Sequence, residues 1–159
     1  MLTYREATPE DVPKIVRSRA DDLNWGPADP RTGRYLEGDH HPSHALGPRT
    51  IFVCTVGDEV AGYIGGHLTR RYDCDGELQY LWVAPDHRRL GVASSLLRLL
   101  AEWFGALGAL RVCVDVLPDN ARARSFYKRH GAEDLNPHWL VWENITALSD
   151  PPSLGPDPP

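Results

Sequence analysis

Lysine is nearly missing from this chain. Lys14 and Lys128 are the only two, and every other basic residue apart from histidine is arginine. We read that as a compositional habit of the source genome rather than a mechanism. Cysteine is also scarce: Cys54, Cys74 and Cys113 show no ligand-like spacing. They imply no disulfide framework, and a reducing compartment fits them. Cys54 and Cys113 lie in strand-like apolar runs, where a thiol acts as a small hydrophobe. Cys74 lies in a polar turn and is expected to be the exposed thiol. No apolar run approaches the roughly 18 residues of a membrane span. The opening Met1-Leu2-Thr3-Tyr4-Arg5-Glu6 lacks a signal-peptide core, so a cytoplasmic location is expected. Positive charge is not in excess either. A net charge of −5 over 159 residues argues against bulk binding of nucleic acid or anionic membrane. Internal repeats and a second domain are also lacking.

What is present is an ordinary globular composition, 42% apolar and 25% charged, long enough for a real core. The reading is one domain over residues 1–147 and a Pro-rich tail over 148–159, expected to be disordered. Residues 2–7 form a first strand. Thr8, Pro9, Glu10 and Asp11 then start a helix with Val12, Ile15 and Val16 on its apolar face. Residues 24–49 lose all periodicity and read as a long loop with a short helix around 34–37. Residues 50–56 and 60–68 form a hairpin across Gly57-Asp58-Glu59. Residues 77–84 are apolar on both faces, as a central strand is. A helix follows with Val92, Leu96 and Trp103 on one side. Residues 110–116 alternate as a strand. Asn120 leads into a helix with Ala123, Phe126, Tyr127 and His130 on one stripe, ended by Gly131. Residues 138–143 form a last strand.

Two motifs stand out. Arg88-x-x-Gly91-x-Ala93 joins the central strand to a helix start, the place where backbone N–H groups point at an anion. Gly91 permits the tight turn and removes a blocking side chain. Asn120-x-x-Ala123-x-x-Phe126-Tyr127-x-x-x-Gly131 follows about thirty residues later. Other basic residues, among them Arg98, Arg111, Arg122, Arg124, Lys128 and Arg129, share this second half of the chain.

With both motifs in place, the sequence resembles the GNAT superfamily of N-acetyltransferases over residues 4–143, most specifically over 77–131. Ala93 stands where the commoner family residue is glycine. The resemblance implies an α+β fold: a mixed central sheet of six to seven strands flanked by helices, in the order β-α-β-β-β-α-β-α-β. It implies transfer of the acetyl group of acetyl-CoA to a primary amine by direct attack in a ternary complex. It sets Arg88, Gly91 and Ala93 on the pyrophosphate, with N–H groups from Arg89, Val92 and Ser94. A helix N-terminus favours such an anion by roughly 0.3–2 kcal/mol. It sets Asn120 on the CoA arm and Tyr127 at the sulfur, as proton donor to the leaving thiolate. The backbone of Val83 would hydrogen-bond the acetyl carbonyl where two central strands splay.

The general base is open. Strict alternation puts Glu77 on the face of Val83, so Glu77 is either a base or a solvated strand-start carboxylate. Asp115 is a second candidate. Asp86 and His87 are expected to cap the loop. His40, His41 and His44 surround Pro42 and lack further ligands, so no metal is assigned. The 25–49 segment is expected to wall the acceptor site. His138, Trp139 and Trp142 could line it too, with core packing for at least one tryptophan. A non-catalytic acyl-CoA-binding or regulatory module on the same fold is the alternative. A nucleotide-phosphate enzyme would need Lys-Ser/Thr after the glycine, and Val92-Ala93 stands there. The amine could be small or on a peptide, and a homodimer is a form the family suggests.

Overall fold

Thr8 and Asp11 close the start of the first helix as a pair. The Thr8 N–H donates to the Asp11 carboxylate at 2.7 Å. Pro9–Asp11 form one tight turn that runs into α1, Val12–Ala20. Arg5, on the first strand, grips both Asp11 oxygens at 2.7 Å. That guanidinium, helped by the Thr8 backbone and opposed by burial, holds the Asp11 carboxyl down at about 2. The structure, a computed structural model, describes residues 1–20, Tyr35 and residues 42–149; the side chains of residues 19 and 20 lie outside that description.

Seven strands form one sheet in the order β1-β2-β3-β4-β5-β7-β6. They are β1 Leu2–Glu6, β2 Ala45–Val56, β3 Glu59–Thr69, β4 Gly76–Val83, β5 Val112–Asp115, β6 Glu133–Asn136 and β7 Trp139–Trp142. All neighbours run antiparallel except β4 and β5. That parallel pair is joined by α2, Val92–Ala106, and β5 is followed by α3, Ala121–Arg129. This is the expected mixed-sheet α+β architecture. Among the described residues, no helix is long and apolar enough to cross a membrane.

Two strands depart from the sequence reading. β2 begins at Ala45, not at residue 50: Ala45 and Leu46 pair with Thr69 and Leu68. A register irregularity between Leu46 and Arg49 separates this pair from the rest. Gly47 and Pro48 fall there and erase the alternation that signals a strand. β6 was not expected at all. Glu133-Asp134-Leu135-Asn136 has one apolar residue, and pairing with β7 makes it an edge strand. Of the short helix expected around 34–37, only Tyr35 is among the described residues.

The sheet has two covered faces. On one, α2 buries Val92, Leu96, Leu97, Leu100, Ala101 and Phe104. They meet Ile64, Leu78, Val83 and Val114, and Tyr127 of α3 joins them. A Cβ on Gly66 would lie 3.0 Å from Phe104 Cζ, so glycine is what lets that ring reach the sheet. On the other face, Ile15 of α1 packs with Tyr35, Ile51, Val53, Tyr63 and Trp82. Each large apolar side chain so buried contributes about 1.5–3 kcal/mol. The final turn, Ile145–Leu148, returns to the α2 face, with Ile145 fully buried and Leu148 packed against the core.

Candidate active site

The site is built on an irregularity in β4. Gly65 pairs with Tyr80 but Gly66 pairs with Leu78, so Gln79 is an extra residue, a β-bulge. The bulge shifts the alternation. Glu77, Tyr80 and Trp82 turn to the α1 face, whereas Leu78, Leu81 and Val83 turn to the α2 face. The expectation that Glu77 and Val83 share a face is therefore wrong, because one extra residue flips every side chain beyond it.

The bulge also marks where β4 and β5 part. They pair only over Gly76–Leu78 against Val112–Val114. Beyond it, β4 is bonded to β3 alone. The Ala84 N–H donates to Ala61 O at 2.8 Å, which fixes the pattern of the antiparallel ladder. Trp82 and Tyr80 face β3 in that pattern, and the backbone groups of Val83 and Leu81 face the opening. Val83 was expected there. Leu81 was missed, because which N–H groups point sideways depends on register, which the sequence does not state.

At the end of β4 the chain makes a turn, Pro85–His87, and enters the glycine loop. Arg88 Nε donates to Val83 O at 2.9 Å, so this guanidinium lies against the strand end. Arg89 and Gly91 both take positive φ, 66° and 80°. Gly91 is the N-cap of α2, and the Ser95 N–H bonds back to Gly91 O at 3.0 Å. The N–H groups of Val92, Ala93 and Ser94 precede that first intrahelical bond and lie at the positive end of the helix dipole. No side chain caps α2, because Gly91 holds the N-cap position. His87 Nδ1 is sealed without a hydrogen-bond partner.

Ser94 lies in the first turn of α2, and its hydroxyl meets His130 Nε2 at 3.0 Å. His130 Nδ1 lies 2.9 Å from Phe126 O. A carbonyl only accepts, so Nδ1 carries the hydrogen of that bond. Asn120 caps α3, its Oδ1 accepting from the Ala123 N–H at 3.1 Å. Tyr127 is 6% exposed and meets the Trp142 ring edge-on at 5.5 Å. Burial raises its phenol above the ordinary value, so it stays protonated at neutral pH.

The α1 face holds a cluster that the motifs do not announce. Glu77 is 5% exposed, and burial lifts its carboxyl to about 7 despite Arg71 beside it. Arg71 Nε donates to Glu77 Oε1 at 3.2 Å. Its Nη2 donates to Ser43 O at 2.8 Å, and its guanidinium lies 4.6 Å from the Trp139 ring centre. His67 of β3 places Nε2 3.9 Å from the same Glu77 oxygen. Its Nδ1 is 2.9 Å from the Tyr35 hydroxyl. Asp115 is exposed at the end of β5, and its charge adds to the upward push on Glu77. The sequence offered Glu77 and Asp115 but gave no sign of His67 or Arg71, since neither belongs to a motif.

The remaining expectations resolve individually. Cys74 is buried, not exposed, and packs with Cys113, Trp139 and Val141, because its turn folds back over β5 and β7. Trp139 faces this cluster, whereas Trp142 lies in the α2-face core. His138 is exposed and contributes its backbone, its carbonyl accepting from the Val116 N–H at 2.8 Å. His44 sits in the turn before β2 at φ 65°, while His40, His41 and Trp25 lie outside the described residues. Among the described residues no three His, Cys, Asp or Glu side chains gather as metal ligands.

Comparison with known proteins gives this arrangement a lineage. Residues 17–132 match the model of the acetyltransferase (GNAT) family. The chain belongs to that family. It is 33% identical over 63 residues to an uncharacterized N-acetyltransferase of Bacillus subtilis, covering 40% of this chain and 26% of that protein. It is 32% identical over 83 residues to one of Mycobacterium tuberculosis, covering 52% of each. The chain thus spans between a quarter and about half the length of these curated relatives. The PaiA N-acetyltransferase of Thermoplasma acidophilum, solved in complex with coenzyme A, superposes with a TM-score of 0.67. It is 13% identical and matched over 89% of this chain and 98% of that one, so the likeness is one of fold.

Proposed function

We propose that this chain is an acetyl-CoA-dependent N-acetyltransferase acting on a primary amine, by direct attack within a ternary complex. The observation that carries the reading is the notch between β4 and β5. It opens directly beside the loop Arg88–Ser94, and it is lined by the outward backbone of Leu81 and Val83.

The residues fit acetyl-CoA. Arg88, Arg89 and Gly91, with the N–H groups of Val92, Ala93 and Ser94, would hold the pyrophosphate. Asn120 Oδ1 already serves the helix cap, so its amide nitrogen is the atom that would meet the CoA arm. When bound, acetyl-CoA supplies a thioester that an amine can attack. The N–H groups of Leu81 and Val83 would meet charge developing on the acyl oxygen, a contribution of about 3–4 kcal/mol for one such donor. Tyr127 keeps its proton and can give it to the departing sulfur.

Glu77 supplies the base. A carboxyl lifted to about 7 is roughly half ionised at neutral pH and accepts a proton from an ammonium group, directly or through water. It approaches from the α1 face, so the amine enters from the side opposite α2 and α3. Among the described residues Trp139 and its cross-strand partner Asp115 lie on that side; no substrate beyond a primary amine is assigned.

The test is a panel of amines with acetyl-CoA, followed by thiol release: protein N-termini, lysine, polyamines, amino acids and aminoglycosides. Turnover with one class, lost in Tyr127→Phe while CoA still binds, supports the reading. Tight acetyl-CoA binding with no acceptor in any class would make the protein a binding module instead.

A further inference from the structure

His67 takes no part in the proposed chemistry, yet its placement is costly. It lies in the middle of β3, fully buried, and Tyr35 beside it is fully buried too. Among the described residues the ring has one hydrogen-bond partner: Nδ1 meets the Tyr35 hydroxyl at 2.9 Å. Nε2 is sealed from solvent, makes no hydrogen bond, and lies 3.9 Å from Glu77 Oε1. A buried polar atom without a partner is costly unless its surroundings compensate.

We propose that His67 is a positioning residue for Glu77: Tyr35 fixes the ring with its hydrogen on Nε2, and that N–H faces the carboxylate and governs the pH at which it forms. The inference rests on the reading of Glu77 as the base.

The argument starts from the ring's charge. Burial first, then Arg49 and Arg71, push the His67 imidazolium down to about 4, so the ring is neutral in use and carries a single hydrogen. With that hydrogen on Nδ1, the ring would donate to the Tyr35 oxygen and turn a bare Nε2 lone pair towards a carboxylate oxygen. Two acceptors would then face each other across 3.9 Å. With the hydrogen on Nε2, the Tyr35 hydroxyl donates to Nδ1 and the N–H dipole points at Glu77. Burial holds the Tyr35 phenol protonated, as that arrangement requires. At 3.9 Å the contact is too long for a hydrogen bond but attractive in a dry site.

The other charges around Glu77 do not replace it. Burial disfavours the Glu77 carboxylate most; Arg71, from the turn before β4, favours it, and Asp115 on β5 opposes it more weakly. Cys113 on β5 lies beside Glu77 in register, with Cys74 packed against it. Arg49 of β2 lies 5.0 Å over the Tyr35 ring, and Tyr80 of β4 meets that ring edge-on at 5.3 Å. Among the described residues none of these turns an N–H towards Glu77 from the β3 side. His67 is the neutral dipole there, and Tyr35 ties it to the segment expected to wall the acceptor site.

The test needs no acceptor. The full chain is labelled with ¹⁵N-histidine and ¹³Cδ-glutamate and titrated by NMR, with the Glu77 signal assigned by its loss in Glu77→Gln. The expected result is a pyridine-type Nδ1 and a protonated Nε2 at His67. The Glu77 midpoint should rise by about half a pH unit or more in Tyr35→Phe and in His67→Asn. His67→Gln sets an amide donor where Nε2–H stood and should keep the midpoint near that of the parent. A hydrogen on Nδ1 overturns the proposal, as does an unmoved midpoint in folded Tyr35→Phe. If His67→Asn does not fold, the parent tautomer and Tyr35→Phe decide. The base reading fails separately: unchanged turnover of Glu77→Gln with acetyl-CoA would end it and leave the tautomer and midpoint standing.

Discussion

Before its bulge, β4 is held on both sides, by β3 and by β5; after it, by β3 alone. The held half carries Glu77, a titrating side chain sealed among His67, Arg71 and Asp115. The half beyond offers backbone groups at Leu81 and Val83 and leads into the glycine loop. A carboxyl needs dry, crowded surroundings to be moved towards neutral pH. A donor for a substrate oxygen needs the opposite, a backbone that no neighbour has claimed. One inserted residue, Gln79, supplies both by ending the pairing and turning the two sets of side chains to opposite faces.

Mutations can test that division, beginning with the deepest expected effect. Glu77→Gln should lower turnover by about a hundred- to ten-thousand-fold, with CoA binding by calorimetry unchanged. In the parent, kcat/KM should climb as pH rises through about 7, because the base works only when deprotonated. Equal loss of binding and turnover would break the comparison. Tyr127→Phe should cost about tenfold or more in turnover, again with CoA bound; it tests the open side of the notch without touching β4. Gly91→Val forces a branched side chain into φ 80°. The strain of about 1–2 kcal/mol should weaken CoA binding about five- to thirtyfold, leaving the rate of the bound complex nearly intact.

The smallest effect lies away from β4 and serves as a control. Asp11 has a depressed carboxyl, so its contribution is complete above about pH 4 and drains as pH falls towards 2. Asp11→Ala should cost about 1–2 kcal/mol and flatten acid unfolding over that range, read by tryptophan fluorescence, with turnover unaffected at neutral pH.

The same division explains what could be read from the residues in order. The open half is local: Arg88-x-x-Gly91-x-Ala93 and the Asn120–Gly131 pattern lie within single elements, and the loop and both helices stand where the spacing puts them. Most of the α2 core is legible for the same reason, since Val92 and Leu96 recur at helical intervals, although Phe104 is buried at its end where Trp103 was expected. The held half is not local. His67, Glu77 and Tyr35 are brought together by pairing across β3 and β4, and nothing in the neighbours of His67 distinguishes it from any strand residue. The bulge is invisible too, because Gln79 has no glycine or proline to mark it. β6 went unseen because an edge strand needs no apolar face, and Cys74 was misjudged because a polar turn can still lie against β5 and β7.

The link from Ser94 to His130 has a mechanical consequence. It pins the first turn of α2 to the last turn of α3, and the Trp142 indole N–H fastens the same histidine's carbonyl to β7 at 2.9 Å. One corner therefore couples α2, α3 and β7, and a side chain that displaced any of the three would be felt by the other two.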